Sequence, residues 1–414
     1  MTKPRYVIVC LIDAASARHM SCYGYHRETT PNMQALTAES VQFRKCFTPA
    51  SYTMSACGSF HTGRYAENHG AFFLDRRLKD DDLTFAETMR RAGYTTGGWC
   101  INMYANSYMN YNIGFDHFDD MKDVEEKRQP VSPDMYNKEY QVHARTERWL
   151  KDNLDKQLFA YVHFMPPHEE YETPEKFIYR WAKPYPGAPN TKPPTLMAWE
   201  QGKAPYTQQD VEYVRDLYDE NMVYADYNVG LFIAKLKELG IWDDTLFFLV
   251  SDHGEAFMEH GFTLHNTTVY DEMTHVPLIM KPHKGFEPAT KDIGALVELI
   301  DIYPTLADML GVTLPKGTVD GVSFLPLLTG QSDKTKDYAF CRSAHFITPI
   351  LYVRGLQYKY IHNQMKETRE LYDMLADPLE SNNIIAERPE VADEMHKLLE
   401  PTLEYYRKEC EKQS

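Results

Sequence analysis

The sequence predicts an α/β protein in which a large mixed, mostly parallel sheet is flanked by helices, with a smaller C-terminal antiparallel sheet plus a helix. Apolar runs of strand length alternate with amphipathic helical segments to about residue 310, which is typical of a sheet buried on both faces. Beyond about residue 330, short strands separated by turns precede one terminal helix. We therefore expect an α/β domain over residues 1–330 and an α+β subdomain over residues 331–414.

The elements follow from hydrophobic periodicity and from turn residues. Apolar runs predict strands of the large sheet at residues 6–12, 41–43, 95–101, 158–164, 245–250 and 276–280. Helical spacing predicts helices at residues 33–40, 83–91, 210–239 (closed by Gly240) and 293–310, and the small residues of 53–61 indicate a turn that feeds a helix. Residues 179–206, rich in Pro, Gly and Lys, predict an irregular excursion over the surface. The C-terminal part predicts strands at residues 338–342, 350–354 and 358–362 and a helix at 389–407.

Charge and cysteine usage restrict the partners and the compartment. The 44 Lys and Arg against 60 Asp and Glu give a net charge of -16, which repels phosphate backbones and anionic lipids. We expect no nucleic-acid or membrane partner, whereas a small anionic substrate stays possible beside a bound metal ion. The seven scattered Cys lack any CxxC pair, and the apolar stretch at 7–12 is too short for a signal peptide. A cytoplasmic protein is the expectation, and homo-oligomerisation is left open.

Polar residues follow two of the predicted strands directly. Asp13 ends the first strand, and Asp252 and His253 end the strand at 245–250. Ligands bind at the carboxyl ends of strands in open α/β sheets, and carboxylates with an imidazole suit a divalent cation. The alternative is a solvated Asp before a turn and an Asp-His pair that caps a helix.

The order of short motifs along the chain indicates a family. The motifs are Asp13, residues 22–25 (CYGY), 29–32 (TTPN), 62–64 (TGR), 251–255 (SDHGE), 270–272 (YDE) with 275–279 (HVPLI), and 371–373 (LYD) with Asp377-Pro378. Over roughly residues 5 to 385 this order resembles the sulfatase branch of the alkaline phosphatase superfamily. The resemblance implies one divalent cation in a large α/β domain, a smaller C-terminal four-stranded sheet, and Asp13, Asp252 and His253 as metal ligands.

The nucleophile position departs from the sulfatase pattern. In sulfatases the Cys that becomes formylglycine lies nine residues before the Thr of Thr-Gly-Arg, and here that position is Thr53. Threonine does not oxidise to an aldehyde, and Cys57 lies only five residues before Thr62, so we expect no formylglycine. The phosphoryl-transferring branches of the superfamily imply instead that Thr53 is both the nucleophile and a metal ligand. The alternative is a hydroxyl that caps a helix N-terminus.

The resemblance also assigns residues around the reacting group. His168 matches the family histidine that contacts the transferring group or the leaving group, and His265 stands where sulfatases carry a Lys. We expect Asn102, His163 and Arg64 to contribute to substrate binding. The Arg that follows the sulfatase nucleophile, and the Lys and His of the Gly-Lys-Trp-His strand motif, are absent: the aligned residues are Cys57, Gly98 and Cys100.

This loss of cationic groups favours a reacting group of low negative charge. The sequence therefore predicts a metal-dependent hydrolase of phosphate esters, phosphodiesters in particular, with Thr53 as nucleophile and one divalent cation (Mn, Zn, Ca or Mg). Three alternatives stay open: a sulfatase that works without formylglycine, a phosphoryl-group transferase, and a degenerate scaffold that binds an anion.

Overall fold

The computed structural model describes most of the chain. The described residues are 2–72, 76–121, 138–171, 173–178, 180–265, 268–342, 344–345, 348–364 and 366–411. The strands are β1 (Tyr6–Ile12), β2 (Val41–Phe47), β3 (Thr95–Cys100), β4 (His117–Asp119), β5 (Leu158–Phe164), β6 (Thr245–Val250), β7 (Ala256–Phe257), β8 (Thr263–Leu264), β9 (His275–Lys281), β10 (Asp292–Glu298), β11 (Ala339–Cys341), β12 (Ala344–His345), β13 (Thr348–Arg354), β14 (Tyr358–Asn363) and β15 (Thr368–Asp373).

Helices flank the large sheet, and one further helix, α11 (Pro389–Glu411), packs on the smaller sheet. They are α1 (Pro31–Thr37), α2 (Thr53–Thr62), α3 (Ala66–His69), α4 (Phe85–Arg91), α5 (Lys138–Asp152), α6 (Pro193–Glu200), α7 (Gln208–Glu238), α8 (Asp271–Thr274), α9 (Ile302–Leu310), α10 (Leu325–Leu328) and α11 (Pro389–Glu411). In the part of the chain that the structure describes, no helix combines the length and the apolar character that crossing a membrane requires.

The predicted mixed, mostly parallel sheet is confirmed. Its eight strands lie in the order β10-β2-β9-β6-β1-β5-β3-β4, and β9 alone runs antiparallel to its neighbours β2 and β6. The central strand β1 is fully buried, with Val7, Val9 and Leu11 in one hydrophobic cluster and Ile8 and Cys10 in the cluster on the other face. Burial on both faces explains why its sequence is a continuous apolar run.

The predicted helix at 293–310 is wrong in its first part. Residues Asp292–Glu298 form the edge strand β10, paired with β2, and the helix begins only at Ile302. A short apolar run fits a buried strand as well as a helix, and Gly294 inside it disfavours the helix. Glu298 and Asp301 then form a capping box that starts the helical region.

The long helix at 210–239 is confirmed as α7. Thr207 and Asp210 form a capping box at its start, and Gly240 follows its end with a φ of 69°. The Tyr218 hydroxyl of this helix accepts a hydrogen bond from the Ser16 backbone (3.0 Å) and donates one to the Ala14 carbonyl (2.7 Å). The helix therefore fixes the backbone that follows β1, where the site lies.

The predicted irregular excursion at 179–206 is only partly irregular. Tyr179 lies outside the described residues, and residues 193–200 form the helix α6, whose first residue is a proline. This helix is too short to show a helical period, and proline at the first helical position is favourable. The Trp181 and Ala182 amides donate to one oxygen of Glu220 at 2.8 Å, which fastens the segment to α7.

The smaller sheet is antiparallel, as predicted, with the order β11-β13-β14-β15 and the short β12 beside β13. The strand β15 is the fourth strand of this order, which the family resemblance implies and the apolar pattern missed. The predicted terminal helix is α11, which extends to Glu411.

Buried ion pairs join this sheet to the large domain. Lys359 of β14 is fully buried between Asp271 (2.8 Å) and Glu380 (2.7 Å), and Asp271 also pairs with Arg354 (3.1 Å). Burial raises the pKa of Asp271, but the charges of Arg354 and Lys359 outweigh it and hold the pKa well below its usual value. The network depends on each partner, because an unpaired buried charge is strongly unfavourable.

We predict that Lys359→Met lowers the free energy of unfolding by about 3–5 kcal/mol, because it removes the buried cation that lies between the Asp271 and Glu380 carboxylates. Urea unfolding followed by circular dichroism measures this change. The matched control Lys366→Met removes an exposed lysine and should change the free energy by less than about 0.5 kcal/mol. Equal effects of the two substitutions would contradict the assigned role of Lys359.

Candidate active site

The carboxyl ends of adjacent strands bring the predicted metal ligands together. Asp13 follows β1, Asp252 and His253 follow the neighbouring strand β6, and Thr53 opens helix α2. The Thr53 Oγ1 atom lies 3.1 Å from His253 Nε2. Asp13, Asp252 and His253 are fully buried, and Thr53 is 3% exposed. The site is thus built from residues that are distant in sequence and that the sheet topology makes neighbours.

Two carboxylate oxygens in this site are buried without a hydrogen-bond donor, Asp13 Oδ1 and Asp252 Oδ2. They lie 3.7 and 3.5 Å from His253 Nε2. The His253 Nδ1 atom faces the Gly254 carbonyl at 2.9 Å, so Nδ1 donates to that oxygen and Nε2 is the nitrogen on the side of the two carboxylates. Buried carboxylate oxygens without donors are costly unless a cation compensates them. With Thr53 Oγ1 they form a donor set that fits one divalent cation.

Hydrogen bonds fix the other carboxylate oxygen of Asp13. Asp13 Oδ2 accepts hydrogen bonds from His163 Nε2 (2.9 Å) and Asn102 Nδ2 (2.7 Å). Burial raises the pKa of Asp13, but the charge of His168 and the hydrogen bond from His163 outweigh it and hold the pKa well below its usual value. Asp13 is therefore ionised, with Oδ1 alone directed at the cation site.

This geometry separates the roles of Asn102 and His163, two of the three residues predicted to bind substrate. Asn102 is 4% exposed, and its Nδ2 lies 3.4 Å from Thr53 Oγ1, beside the reacting position. His163 is fully buried, and its second nitrogen faces Cys100 Sγ (3.3 Å) and the Tyr161 hydroxyl (3.0 Å). His163 therefore orients Asp13, the predicted metal ligand, instead of contacting an ester.

The two predicted catalytic histidines lie together beside the cation site. The ring centroids of His265 and His253 are 4.4 Å apart, and those of His265 and His168 are 4.8 Å apart. The contacts also reveal two carboxylates that the sequence analysis missed: Glu169 Oε2 lies 2.8 Å from His168 Nδ1, and Glu255 Oε1 lies 3.2 Å from His265 Nδ1. Glu169 follows His168 directly and Glu255 ends the 251–255 motif, but only the fold shows which imidazole each one faces.

The carboxylates set the charge of these histidines. Burial lowers the pKa of His168, but Glu169 and Asp13 outweigh it, and the pKa lies well above its usual value. In the same way Glu169 and Glu255 raise the pKa of His265 against the effect of burial. Each imidazole thus faces a carboxylate that offsets a positive charge on the ring, so the pairs add little net positive charge. His168, Glu169 and His265 also lie within a distance that a metal ion could bridge.

The structure does not bring Arg64 to the site. Arg64 follows the C-terminal cap of α2, where its Nη1 lies 3.6 Å from Asp82 Oδ1. The ten-residue helix separates it from Thr53 by about 15 Å. Among the described residues, no Lys or Arg side chain forms a hydrogen bond or ion pair with the proposed ligands or with His168 and His265.

Thr53 does not cap its helix, which was the alternative for this residue. Tyr52 occupies the N-cap position in an extended conformation, and Thr53 is the first helical residue. All ten residues of α2 are buried. The positive end of a helix dipole stabilises negative charge on an oxygen at its N-terminus, so the position of Thr53 favours the ionised hydroxyl.

The comparison with protein families identifies the scaffold. The family model described as Sulfatase matches residues 5–312. The chain belongs to the sulfatase family. A second model, for the C-terminal part of N-sulphoglucosamine sulphohydrolase, matches residues 258–409. Sulfatases generally hold a divalent cation, and in this member Asp13, Asp252 and His253 are the residues that could hold it.

Curated sulfatases are similar to this family member over different lengths. N-acetylglucosamine-6-O-sulfatase of Bacteroides thetaiotaomicron is 24% identical, over 98% of this chain and 87% of that protein. Arylsulfatase K of Xenopus laevis is 30% identical over 49% of this chain and 39% of that protein, so the chain spans well under half the length of that relative. The protein is thus a sulfatase-family hydrolase.

Solved structures show the same fold. The phosphonate monoester hydrolase of Agrobacterium radiobacter superposes with a TM-score of 0.79 at 21% identity, covering 98% of this chain and 96% of that one. A structure described as a 2-O GAG sulfatase gives a TM-score of 0.78 at 19% identity, covering 98% and 93%. The likeness extends over almost the whole of this sulfatase-family chain, including the smaller sheet.

We predict that His163→Leu weakens divalent-cation binding about 10- to 100-fold, because Asp13 Oδ2 loses the donor that orients its carboxylate. Calorimetric titration with Mn²⁺ measures the affinity. His163→Gln keeps an N–H donor at the same reach and should recover most of the loss. If the Leu and Gln variants bind the cation equally well, His163 does not position Asp13.

Proposed function

We propose that this sulfatase-family protein hydrolyses phosphate esters, phosphodiesters in particular, with Thr53 as the attacking group at a site for one divalent cation. The observation that carries this proposal is the placement of the Thr53 hydroxyl. It lies 3.1 Å from His253 Nε2, beside two buried carboxylate oxygens that lack donors, where a cation would hold it. A hydroxyl nucleophile needs no aldehyde for turnover, because water can attack phosphorus in the second step.

The charges around the site support a reacting group with one negative charge. A divalent cation would balance Asp13 and Asp252, and Glu169 and Glu255 balance His168 and His265. This arrangement leaves little excess positive charge for a dianionic phosphomonoester. A phosphodiester carries a single negative charge, which such a site accommodates at a smaller electrostatic cost.

Each side chain of the site has a separate role in the reaction. The Thr53 hydroxyl loses its proton as its oxygen attacks phosphorus, the bond from phosphorus to the leaving oxygen breaks, and the leaving oxygen takes a proton from His168 or His265, which the proton lost by Thr53 then replaces. Water then attacks the phosphorus of the threonyl ester and releases Thr53 with its hydroxyl proton restored. Asn102 Nδ2 donates a hydrogen bond to the Thr53 oxygen at 3.4 Å. A bound divalent cation would lower the pKa of the Thr53 hydroxyl. It would also neutralise the negative charge that develops during the attack.

A sulfatase that works without formylglycine is the second candidate. The curated relatives of this chain carry sulfatase names, and a sulfate monoester also carries one negative charge. The same charge balance therefore suits this substrate. Water attack on a threonyl sulfate at sulfur would complete the turnover.

Matched substrates separate the two candidates. Hydrolysis of methyl 4-nitrophenyl phosphate, 4-nitrophenyl phosphate and 4-nitrophenyl sulfate should be measured with Mn²⁺, Zn²⁺, Ca²⁺ or Mg²⁺ added. We expect the highest kcat/KM for the diester, because it combines one negative charge with a phosphorus centre. A higher kcat/KM for the sulfate would favour the sulfatase, and a preference for the phosphomonoester would contradict the charge argument.

We predict that Thr53→Ala lowers kcat on the preferred ester at least about 1,000-fold, since it removes the covalent path. Thr53→Ser keeps a hydroxyl and should retain activity within about 30-fold, because only the methyl group that restricts the rotamer is lost. Cation binding to each variant should be measured in parallel, because binding that persists shows that the rest of the site is intact. A fall of less than tenfold for the Ala variant would show that Thr53 is not the nucleophile.

A further inference from the structure

The His265 ring reaches the site from the end of a very short hairpin. The strands β7 and β8 of this hairpin are two residues long each, and two residue pairs join them. A two-stranded hairpin is marginally stable at best by itself in water. The position of His265, whose ring centroid lies 4.4 Å from that of His253, therefore depends on contacts that hold the hairpin from outside.

The backbone directly before His265 needs such support. Leu264 has a φ of 60°, a left-handed conformation that residues with a side chain rarely adopt and that persists only where the surrounding structure imposes it. One support is helix α6, because the Thr263 hydroxyl donates to the Leu196 carbonyl at 3.0 Å. This contact lies next to Leu264, so the tip of the hairpin, residues 258–261, must be held by other groups.

His260 holds the tip of the hairpin. Its side chain is 12% exposed, although the residues on either side of it are exposed. The Nδ1 atom lies 2.7 Å from Glu272 Oε1, and the Nε2 atom lies 3.1 Å from the Glu380 carbonyl oxygen. The ring also stacks on that of Tyr270, with centroids 3.7 Å apart and planes inclined by 12°. Three contacts therefore fix this side chain and, through it, the tip.

The two polar contacts of His260 require two ring protons. A carboxylate and a carbonyl oxygen accept hydrogen bonds, so both contacts are hydrogen bonds only while both ring nitrogens carry a proton. Burial lowers the pKa of His260, but the hydrogen bond to Glu272 and the charge of that carboxylate outweigh it and raise the pKa above its usual value. Loss of one ring proton as the pH rises breaks one of the two hydrogen bonds.

Charged groups from several elements fix the two acceptors. Arg18, which follows β1, lies 3.1 Å from Glu272 Oε2 and 3.4 Å from Glu380 Oε2. Lys359 of β14 lies 2.7 Å from Glu380 Oε1, and the Asp271 amide donates to Glu380 Oε2 at 2.7 Å. Two further titratable side chains beside the ring have other partners, namely Glu259 with Arg215 of α7 (3.8 Å) and Tyr270 with Glu370 (2.8 Å). The acceptors are thus in place whatever the charge of the ring.

We propose that His260 is a positioning residue, which in its doubly protonated form ties the β7–β8 hairpin to Glu272 and Glu380 and thereby holds His265 beside the site. A small displacement of a reacting group lowers a rate steeply. The effect on the reaction rests on the proposed function, whereas the tether itself does not. The tether is complete at low pH and loses a hydrogen bond as the pH rises.

Three variants test this role. His260→Phe keeps a ring for Tyr270 and has no donor, and His260→Gln keeps an amide donor that does not titrate. The control His26→Phe removes an exposed histidine whose ring contacts that of Tyr25 (4.4 Å). For the cation-loaded proteins, kcat and KM on the preferred ester and the hydrogen exchange of residues 256–265 should be measured at about pH 6 and about pH 9.

At about pH 6, His260→Phe should lower kcat about 10-fold and leave KM within about threefold of the wild type, because the tether is lost but substrate contacts are not. His260→Gln should lie between these two proteins. The ratio of wild-type to His260→Phe kcat should fall at least about threefold from the lower to the higher pH. This ratio cancels the proton transfers by His168 and His265, which both proteins share.

Hydrogen exchange reports the tether without the reaction. At about pH 6 the amides of residues 256–265 should exchange about 10-fold faster in His260→Phe than in the wild type, with helix α6 and the His26→Phe control unchanged. A kcat ratio that does not change with pH, or an unchanged exchange rate in the hairpin, would overturn the proposal. Faster exchange throughout the chain would overturn it too, because the role would then be structural. The expected exchange pattern in a protein that hydrolyses none of the esters would overturn the proposed function alone.

Discussion

Compensation of the negative charge at the ends of β1 and β6 is the interaction on which the site depends. Adjacent parallel strands place Asp13 and Asp252 side by side and away from water, and one oxygen of each has no donor. Hydrogen bonds fix the opposite oxygen of Asp13 and the nearby His253 ring, so the unpaired atoms converge on one point. The same convergence brings the hydroxyl of Thr53 next to the cation site.

The second feature that determines which ester the site accepts is the source of positive charge around it. His265 stands where the sulfatase pattern has a Lys, uncharged residues stand at the other missing Arg and Lys positions, and both His265 and His168 face a carboxylate. Such pairs are polar but nearly neutral, so they donate hydrogen bonds without adding much attraction for a dianion. The nucleophile and the charge balance thus point to the same kind of ester, although they were inferred from different residues.

The sequence predicted the parts of the fold and site that are local in the chain. Two apolar runs each predict a buried strand together with the polar residues at its end. One run precedes Asp13, and the other precedes Asp252 and His253. The strand β10 was mistaken for a helix, because a short apolar run has no decisive period. Arg64 was placed at the site because a sequence motif does not show that the length of α2 separates this residue from Thr53. Glu169 and Glu255 were missed because their partners are chosen by tertiary packing.

The most direct test of the account is whether Thr53 becomes covalently modified during turnover. The cation-loaded protein is mixed with methyl 4-nitrophenyl phosphate, quenched in acid within milliseconds, and the peptide spanning residues 47–64 is sequenced by mass spectrometry. The account predicts a methyl phosphoryl group on Thr53, formed at a rate no slower than turnover and missing from Thr53→Ala. Turnover with no adduct on this peptide at any quench time, and with full activity in Thr53→Ala, would contradict it.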